Sequence, residues 1–458
     1  MKYKILLLSL LIIGCQYEPM DEIPTPIGGV SYTNPFSSIP QPNYLDPSHN
    51  TRIPYLHTNY DDMYNTYGIN LVKDAYVGPP RDAVVIDYNG DGYYDLVHSG
   101  TDWEKSFRAE ITDDDPLGNQ YRNKIQFFYG NEIGELTLDL GMSDKFWGLL
   151  HGYKGNVNDY NNDGIPDMLF AGTGFHGPSI NNSPPEYLNH EYPTMLLSNG
   201  IGNYEQINFL ELSDHYDHSV SSGDYDNDGD VDVMFIRPGH RPDWVEQYGM
   251  SVGRILKNNG NGNFEITELI QTNEVGSILN QLVPLGITYN KFASELIDIN
   301  NDGFLDWILG GSKDSGSHIL LGNGIDFMGG VIEIPGVSNY DFLFDFEIYD
   351  YNLDGDLDII AYRIPDSESG SHYEGWYMQI LKNEGGSFID VSSTDINDNS
   401  YFGGSYYPPF IDIADFDNDG IIELFNNAID RNSGYIPCSS CLNPKLEWEL
   451  INGIFIRQ

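Results

Sequence analysis

The sequence predicts an all-β fold built from repeated four-stranded sheets, and three observations carry that expectation. A nine-residue pattern, Asp-x-Asn/Asp-x-Asp-Gly-x-x-Asp/Glu, begins at Asp87, Asp159, Asp224, Asp298, Asp350 and Asp415. Successive starts lie 72, 65, 74, 52 and 65 residues apart, which suits a four-stranded unit with variable loops and exceeds most helical solenoid repeats. Short apolar runs of strand character flank each copy. A repeat of this kind builds a β-propeller of four-stranded blades. Six blades bear the motif, and residues 50–80 either form a seventh blade without it or supply strands that close the ring.

Taken in chain order, residues 1–14 read as a secretion signal. Lys2 and Lys4 form the positive start, and Ile5 to Ile13 form an apolar core too short to cross a bilayer. The junction Leu11-Ile12-Ile13-Gly14-Cys15 resembles a bacterial lipobox, which implies lipidation of Cys15 and an outer-membrane lipoprotein at the cell surface or on the periplasmic face. Acidic residues just behind Cys15, Glu18, Asp21 and Glu22, resemble surface-export signals of Bacteroidetes lipoproteins. Loss of Lys2 and Lys4 takes the net charge from −47 to −49. Residues 15–49, rich in Pro, Gly, Ser and Thr, read as a flexible tether, and residues 50–458 as the propeller.

Within the propeller each motif sits between apolar segments, as in Ala83-Val84-Val85-Ile86 before the first and Asp95-Leu96-Val97 after it. The later copies leave their loops as Asp167-Met168-Leu169-Phe170, Asp232-Val233-Met234-Phe235, Asp306-Trp307-Ile308-Leu309, Asp358-Ile359-Ile360 and Glu423-Leu424-Phe425. Runs apolar on both faces predict strands packed between neighbouring sheets. Further on, Asn199-Gly200, Asn259-Gly260 and Asn383-Glu384-Gly385-Gly386 separate apolar segments, a hairpin signal because these residues tolerate positive φ. Each repeat therefore reads as strand, Asp-rich hairpin, strand, variable loop, strand, Asn-Gly hairpin, strand. After Asp415, Leu446 to Ile451 and Ile454-Phe455-Ile456 supply the last strands.

With these motifs in place, the chain from about residue 80 to 458 resembles the FG-GAP/VCBS repeat family, the integrin α-like propellers found also in bacterial surface proteins. The resemblance implies a calcium ion in each loop, held by side chains at positions 1, 3, 5 and 9 and by the carbonyl of position 7. In the first loop these are Asp87, Asn89, Asp91, Asp95 and the Tyr93 carbonyl; in the second, Asp159, Asn161, Asp163, Asp167 and the Ile165 carbonyl. The third offers Asp224, Asp226, Asp228, Asp232 and the Asp230 carbonyl, and the fourth Asp298, Asn300, Asp302, Asp306 and the Phe304 carbonyl. The fifth has Asp350, Asn352, Asp354, Asp358 and the Asp356 carbonyl; the sixth has Asp415, Asp417, Asp419, Glu423 and the Ile421 carbonyl, with Glu423 departing from the usual Asp.

The chemistry suits the ion. Calcium takes six to eight hard oxygen ligands, whereas magnesium demands a near-ideal octahedron and retains its waters. An EF-hand opens in the same way but needs a bidentate Glu at position 12, where this chain has His98, Phe170, Phe235, Leu309, Ala361 and Asn426. Acidic turns that bind nothing are the competing reading. Twenty side-chain carboxylates stand at positions 1, 3, 5 and 9 of the six loops, so metal binding is expected to couple to stability, with up to six Ca2+ ions per chain.

Composition narrows the partners. Sixty-nine acidic against 22 basic residues repel polyanions and exclude nucleic acid as a partner class, while 40% hydrophobic and 13% aromatic content is too rich for an acidic disordered chain. No later apolar run approaches the length of a membrane helix, so membrane contact is expected through the lipid alone. The connections between second and third strands are long and aromatic: residues 101–120 with Trp103 and Phe107, 174–192 with Phe175, His176, Tyr187 and His190, 237–248 with His240, Arg241, Asp243 and Trp244, and 363–377 with His372, Tyr373 and Trp376. Long loops on a rigid scaffold commonly carry binding. The expected function is recognition of a glycan or an envelope protein, with packing of the loops as the bland reading for each aromatic residue. A calcium-dependent polysaccharide lyase or hydrolase is the second class, although no nucleophile elbow, zincin motif or P-loop appears and no catalytic residue can be named. An accessory subunit of a nutrient-uptake complex is the third. Cys438 and Cys441 have the spacing of a redox or zinc half-site without its context, so a local disulfide closing a surface loop is expected.

Overall fold

The computed structural model describes residues 83–91, 95–100, 122, 124–130, 137–150, 152–173, 191–212, 217–236, 253–268, 291–312, 316–365, 376–397, 402–403, 406–407, 411–414, 421–426, 429–430 and 446–457. The signal segment, Cys15, the tether, residues 50–80, Tyr93, the sixth-loop residues Asp415, Asp417 and Asp419, Cys438, Cys441 and most of the long connections lie outside them.

Six four-stranded antiparallel sheets follow one another along the chain. The first contains β1 (Ala83–Ile86), β2 (Asp95–His98), β3 (Gln126–Tyr129) and β4 (Thr137–Leu138), followed by a one-turn helix α1 (Leu140–Ser143). The second contains β5 (Gly152–Asn158), β6 (Asp167–Gly172), β7 (Thr194–Ser198) and β8 (Tyr204–Asn208), and the third β9 (Ser219–Gly223), β10 (Asp232–Ile236), β11 (Gly253–Asn258) and β12 (Phe264–Glu268). The fourth is β13 (Lys291–Ile297), β14 (Asp306–Gly311), β15 (His318–Leu321) and β16 (Gly330–Glu333). The fifth is β17 (Phe342–Tyr349), β18 (Asp358–Ile364), β19 (Trp376–Asn383) and β20 (Phe388–Asp390), followed by α2 (Ser392–Asp395). A short strand β21 (Phe402–Gly403) joins β19, and β22 (Tyr406–Tyr407) pairs β25 (Ile429–Asp430). The sixth sheet is β23 (Ile411–Ala414), β24 (Ile422–Asn426), β26 (Leu446–Ile451) and β27 (Ile454–Arg457).

Within the first four sheets every strand pairs with its sequence neighbour, in the fifth β21 adds to β19 and in the sixth β24 pairs β26, and the first strands of successive sheets, β1, β5, β9, β13, β17 and β23, lie side by side. That is the arrangement of propeller blades around an axis. The inner strands approach closely: a Cβ on Gly155 of β5 would stand 2.5 Å from Val84 of β1, so only glycine fits there. The second strands of the first five sheets are buried throughout, as their two-sided apolar runs predict, and they contribute to the core between blades. Between the fifth and sixth sheets it includes Tyr362, Trp376, Leu424, Trp448 and Phe455. Trp376, expected among the ligand-facing aromatics, is instead buried, its ring 6.1 Å from Trp448 and 6.5 Å from Tyr362. Arg363 at the other end of that connection is likewise buried in β18, its guanidinium bonded to Gln379 and the Pro335 carbonyl. Both fall within the span 363–377 expected as a loop, but β18 runs on to Ile364 and β19 begins at Trp376, so the two strands take up its ends.

Candidate metal centre

Each described Asp-rich turn joins the first strand of its sheet to the second, and its backbone follows from two positions. Position 6 is glycine, with φ of 81°, 95°, 90° and 95° at Gly164, Gly229, Gly303 and Gly355. Position 4 also takes the left-handed region, as Gly90, Asn162, Asn227, Asn301 and Leu353. Glycine and asparagine enter it at small cost, whereas Leu353, at φ 59° and 82% exposed, has no contact to repay the strain.

The side chains then hold the turn from inside. The position 1 carboxylate accepts from the amides of positions 5 and 6: in the second loop Asp163 N donates to Asp159 Oδ1 at 3.0 Å and Gly164 N to Oδ2 at 2.8 Å. The same pair of bonds recurs at Asp224, Asp298 and Asp350. Position 3 accepts from the position 5 amide, at 2.8 to 3.0 Å for Asn89, Asn161, Asn300 and Asn352. Position 5 accepts from position 7, as Ile165 N donates to Asp163 Oδ1 at 2.8 Å and Phe304 N to Asp302 Oδ1 at 3.0 Å. These bonds fold the side chains at positions 1, 3 and 5 back onto the turn's own backbone.

Position 9 differs from the rest. Asp95, Asp167, Asp232, Asp306 and Asp358 are each 0% exposed. In all five, Oδ1 accepts a backbone amide from the end of the third strand: Gly130, Ser198, Asn258, Gly322 and Asn383, at 2.6 to 2.8 Å. In loops one, two and four Oδ2 also accepts the position 2 amide, from Tyr88, Tyr160 and Ile299 at 3.1, 2.7 and 3.1 Å. This carboxylate is a clamp between turn and sheet, and each oxygen retains a lone pair. Burial pushes the Asp167, Asp232, Asp306 and Asp358 carboxyls up to about 7 and Asp95 well above the usual range, while the backbone donors pull the other way.

Position 2 locks each turn into the next sheet, a role absent from the sequence reading. Tyr160 packs edge-on against Phe264 at 6.1 Å, Tyr225 stacks with Phe327 at 5.5 Å, and Tyr351 lies 5.8 Å from Phe455. The backbone joins in: Gly202 N donates to the Tyr88 carbonyl at 2.8 Å, and Gly262 N and Asn258 Nδ2 donate to that of Tyr160 at 3.2 and 2.7 Å. The signal was present in the sequence, since the second residue of the motif is Tyr in four copies.

The third loop brings its carboxylates closest. Oxygens of Asp224, Asp226 and Asp232 lie within 4.8 Å of one another. Asp232 Oδ2 and Asp226 Oδ1 are buried with no hydrogen-bond partner, unlike Oδ2 of the clamps in loops one, two and four. In the sixth loop only Ile421 and Glu423, in and beside β24, fall within the described residues.

Residues 159–235 match the family model described as FG-GAP-like repeat. No curated protein matches the chain in sequence. Among solved structures, an Agrocybe aegerita lectin described as recognising non-reducing terminal N-acetylglucosamine is similar at 13% identity and TM-score 0.43, covering 85% of this chain and 88% of its own. A thermostable family-43 glycoside hydrolase gives 13% identity, TM-score 0.32 and coverage of 69% and 96%. An exo-β-1,3-galactanase candidate from Bifidobacterium bifidum gives 12%, 0.31, 68% and 89%. At these scores the fold rests on the sheet order itself. Residues 159–235, from the second Asp-rich turn to the second strand of the third sheet, thus carry FG-GAP-like repeat sequence, and the same turn recurs in the sheets on either side.

Proposed function

We propose that the protein is a calcium-binding propeller that recognises a glycan at the bacterial outer membrane, to which lipidated Cys15 tethers it. The observation that carries the calcium reading is the third loop, where a fully buried Asp232 oxygen without a partner faces Asp224 and Asp226. A buried carboxylate oxygen left unpaired is costly, and a hard cation is the group that three converging carboxylates accommodate. In the other described loops positions 1, 3 and 5 keep lone pairs beyond those their amide bonds occupy, so Asp159, Asn161, Asp163 and Asp167, with their counterparts in loops one, four and five, would hold the ion in the same way. When bound, calcium offsets the mutual repulsion of the loop carboxylates. The residues themselves fix the turn, exclude water at position 9, and fasten each loop to its own third strand and to the next sheet.

The partner class rests on sequence: connections 101–120, 174–192 and 237–248 bring Trp, Phe, Tyr and His beside Arg, Asp and Asn, the residue types that stack on sugar rings and bond their hydroxyls. The second strands that precede them end on the side of the sheets away from the Asp-rich turns. Elemental analysis of purified protein tests the first half of the reading, with several calcium ions per chain expected and none overturning it. A glycan array with and without chelator tests the second. Binding without released product is the expected outcome; release of oligosaccharide moves the protein to the hydrolases or lyases.

A further inference from the structure

The described loops are not equivalent, and the difference lies on the third strand facing them. One residue beyond the last position at which that strand pairs with the second strand stands Leu197 in the second sheet, Lys257 in the third, Leu321 in the fourth and Lys382 in the fifth. Lys257 Nζ donates to Asp226 Oδ2 and lies 3.4 Å from Asp228 Oδ2, at positions 3 and 5 of its loop. Lys382 Nζ lies 3.3 Å from Asp354 Oδ2, position 5 of the fifth loop, and 3.9 Å from Glu384. Nothing cationic occupies the corresponding place in the second and fourth loops, where Asn161 and Asn300 turn their amide nitrogens to the position 5 carboxylate instead.

We propose that Lys257 and Lys382 are tethered counter-ions that compete with calcium, dividing these four loops into a tight class, the second and fourth, and a weak class, the third and fifth. The inference rests on the calcium reading of the turns. The ammonium reaches the carboxylates that a cation needs, so calcium must displace it or bind beside a like charge, and either reduces affinity. The third loop can tolerate its lysine because Asp226 stands where the others have asparagine: a fourth side-chain carboxylate offsets the added positive charge. The fifth loop has Asn352 there and gains no such offset, so it is the weakest of the four. The buried, unpartnered oxygens of Asp226 and Asp232 show that the lysine does not satisfy the third loop fully, leaving an ion something to gain. The consequence is graded filling. The second and fourth blades are pinned at low calcium, while the third and fifth respond at higher calcium and hold together in its absence through their own lysines.

Calorimetric titration of calcium into chelator-stripped full-length protein tests this with Lys257→Met, Lys382→Met and the reverse change Leu321→Lys. Each Lys→Met is expected to move one ion from the weak to the tight class, with affinity rising on the order of tenfold, and Leu321→Lys to move one the other way. In chelator, Lys257→Met is expected to melt below wild type, because the loop has lost its only tethered cation among the described residues. Calcium binding with isotherms and chelator melting points unchanged across all three variants overturns the lysine inference and leaves the calcium reading standing. No calcium bound by wild type overturns both.

Discussion

At one end of the sheets carboxylates are held by backbone amides; at the other, cations and aromatic rings pack against one another. The turn end buries a carboxylate in each of five described loops and gives its Oδ1 a backbone amide from the end of the third strand. The opposite end, among the described residues, has Tyr153 stacked on His218 at 4.3 Å, His218 against Phe292 at 5.0 Å, and Phe292 against Phe342 at 4.3 Å, all near the starts of inner strands. Beside them Arg122 pairs with Glu191 at 2.7 Å, both side chains 1% exposed, and covers the Tyr192 ring at 4.1 Å. Among the described residues, the motif acids serve the turns at one end, while aromatic contacts and a buried ion pair hold the other.

The sharpest way to break this comparison is to remove divalent ions. If the turn end depends on calcium, chelation should lower the melting temperature markedly, since an ion at a thousandfold excess over its Kd stabilises the folded state by about 4 kcal/mol for each site. An unchanged melting curve would mean that the amide bonds alone hold the turns.

A second experiment separates the clamp from the rim. Asp306→Ala should cost about 2–5 kcal/mol even in chelator, because the amides of Ile299 and Gly322 are left buried without an acceptor, and more in calcium, where the ion also loses a ligand. Asp302→Ala, at exposed position 5, should be costly in calcium and nearly silent in chelator. Denaturant unfolding under both conditions distinguishes them, and equal behaviour of the two variants would erase the distinction drawn at position 9.

Much of this was legible beforehand. The Asp-rich turns of the second to fifth sheets, their flanking strands and the hairpins at Asn199-Gly200 and Asn259-Gly260 stand where periodicity and turn chemistry put them, because each is a local preference. The clamp was not legible. Asp167 reads as one more carboxylate in a run of acids, and only the fold brings the Ser198 amide from 31 residues away to its Oδ1. Trp376 and Arg363 failed for a similar reason: their burial depends on the sixth sheet and on Gln379 and Pro335, which no loop composition announces.

The opposite end offers a test by pH. Lys291, at the start of β13, donates to the Gly316 carbonyl at 2.7 Å and lies 3.3 Å from His318 Nδ1. Burial holds its amine down to about 7, and burial together with that neighbouring ammonium holds His318 down to about 4. A lysine depressed in the folded state is protonated more readily when unfolded, so it penalises folding below about 7 and the penalty is relieved as pH rises toward 10.5. Lys291→Met should therefore raise stability at pH 7 by roughly 1–2 kcal/mol and flatten the rise between pH 7 and 10.5. A variant less stable than wild type at pH 7 would show that the bond to Gly316 outweighs the cost of burying the charge.

The smallest effect belongs again to the turn end. Leu353 occupies position 4 of the fifth loop at φ 59°, where the second, third and fourth loops have asparagine and the first glycine. It is 82% exposed, so replacing it removes no packing. Leu353→Asn should stabilise by about 0.5–1 kcal/mol, since asparagine enters the left-handed region with less strain. The gain should appear equally with calcium and with chelator, because position 4 offers no ligand and changes only the backbone that presents the others. A gain confined to calcium would instead mean that the added amide reaches the ion, and would assign position 4 a part in the site that its outward placement denies.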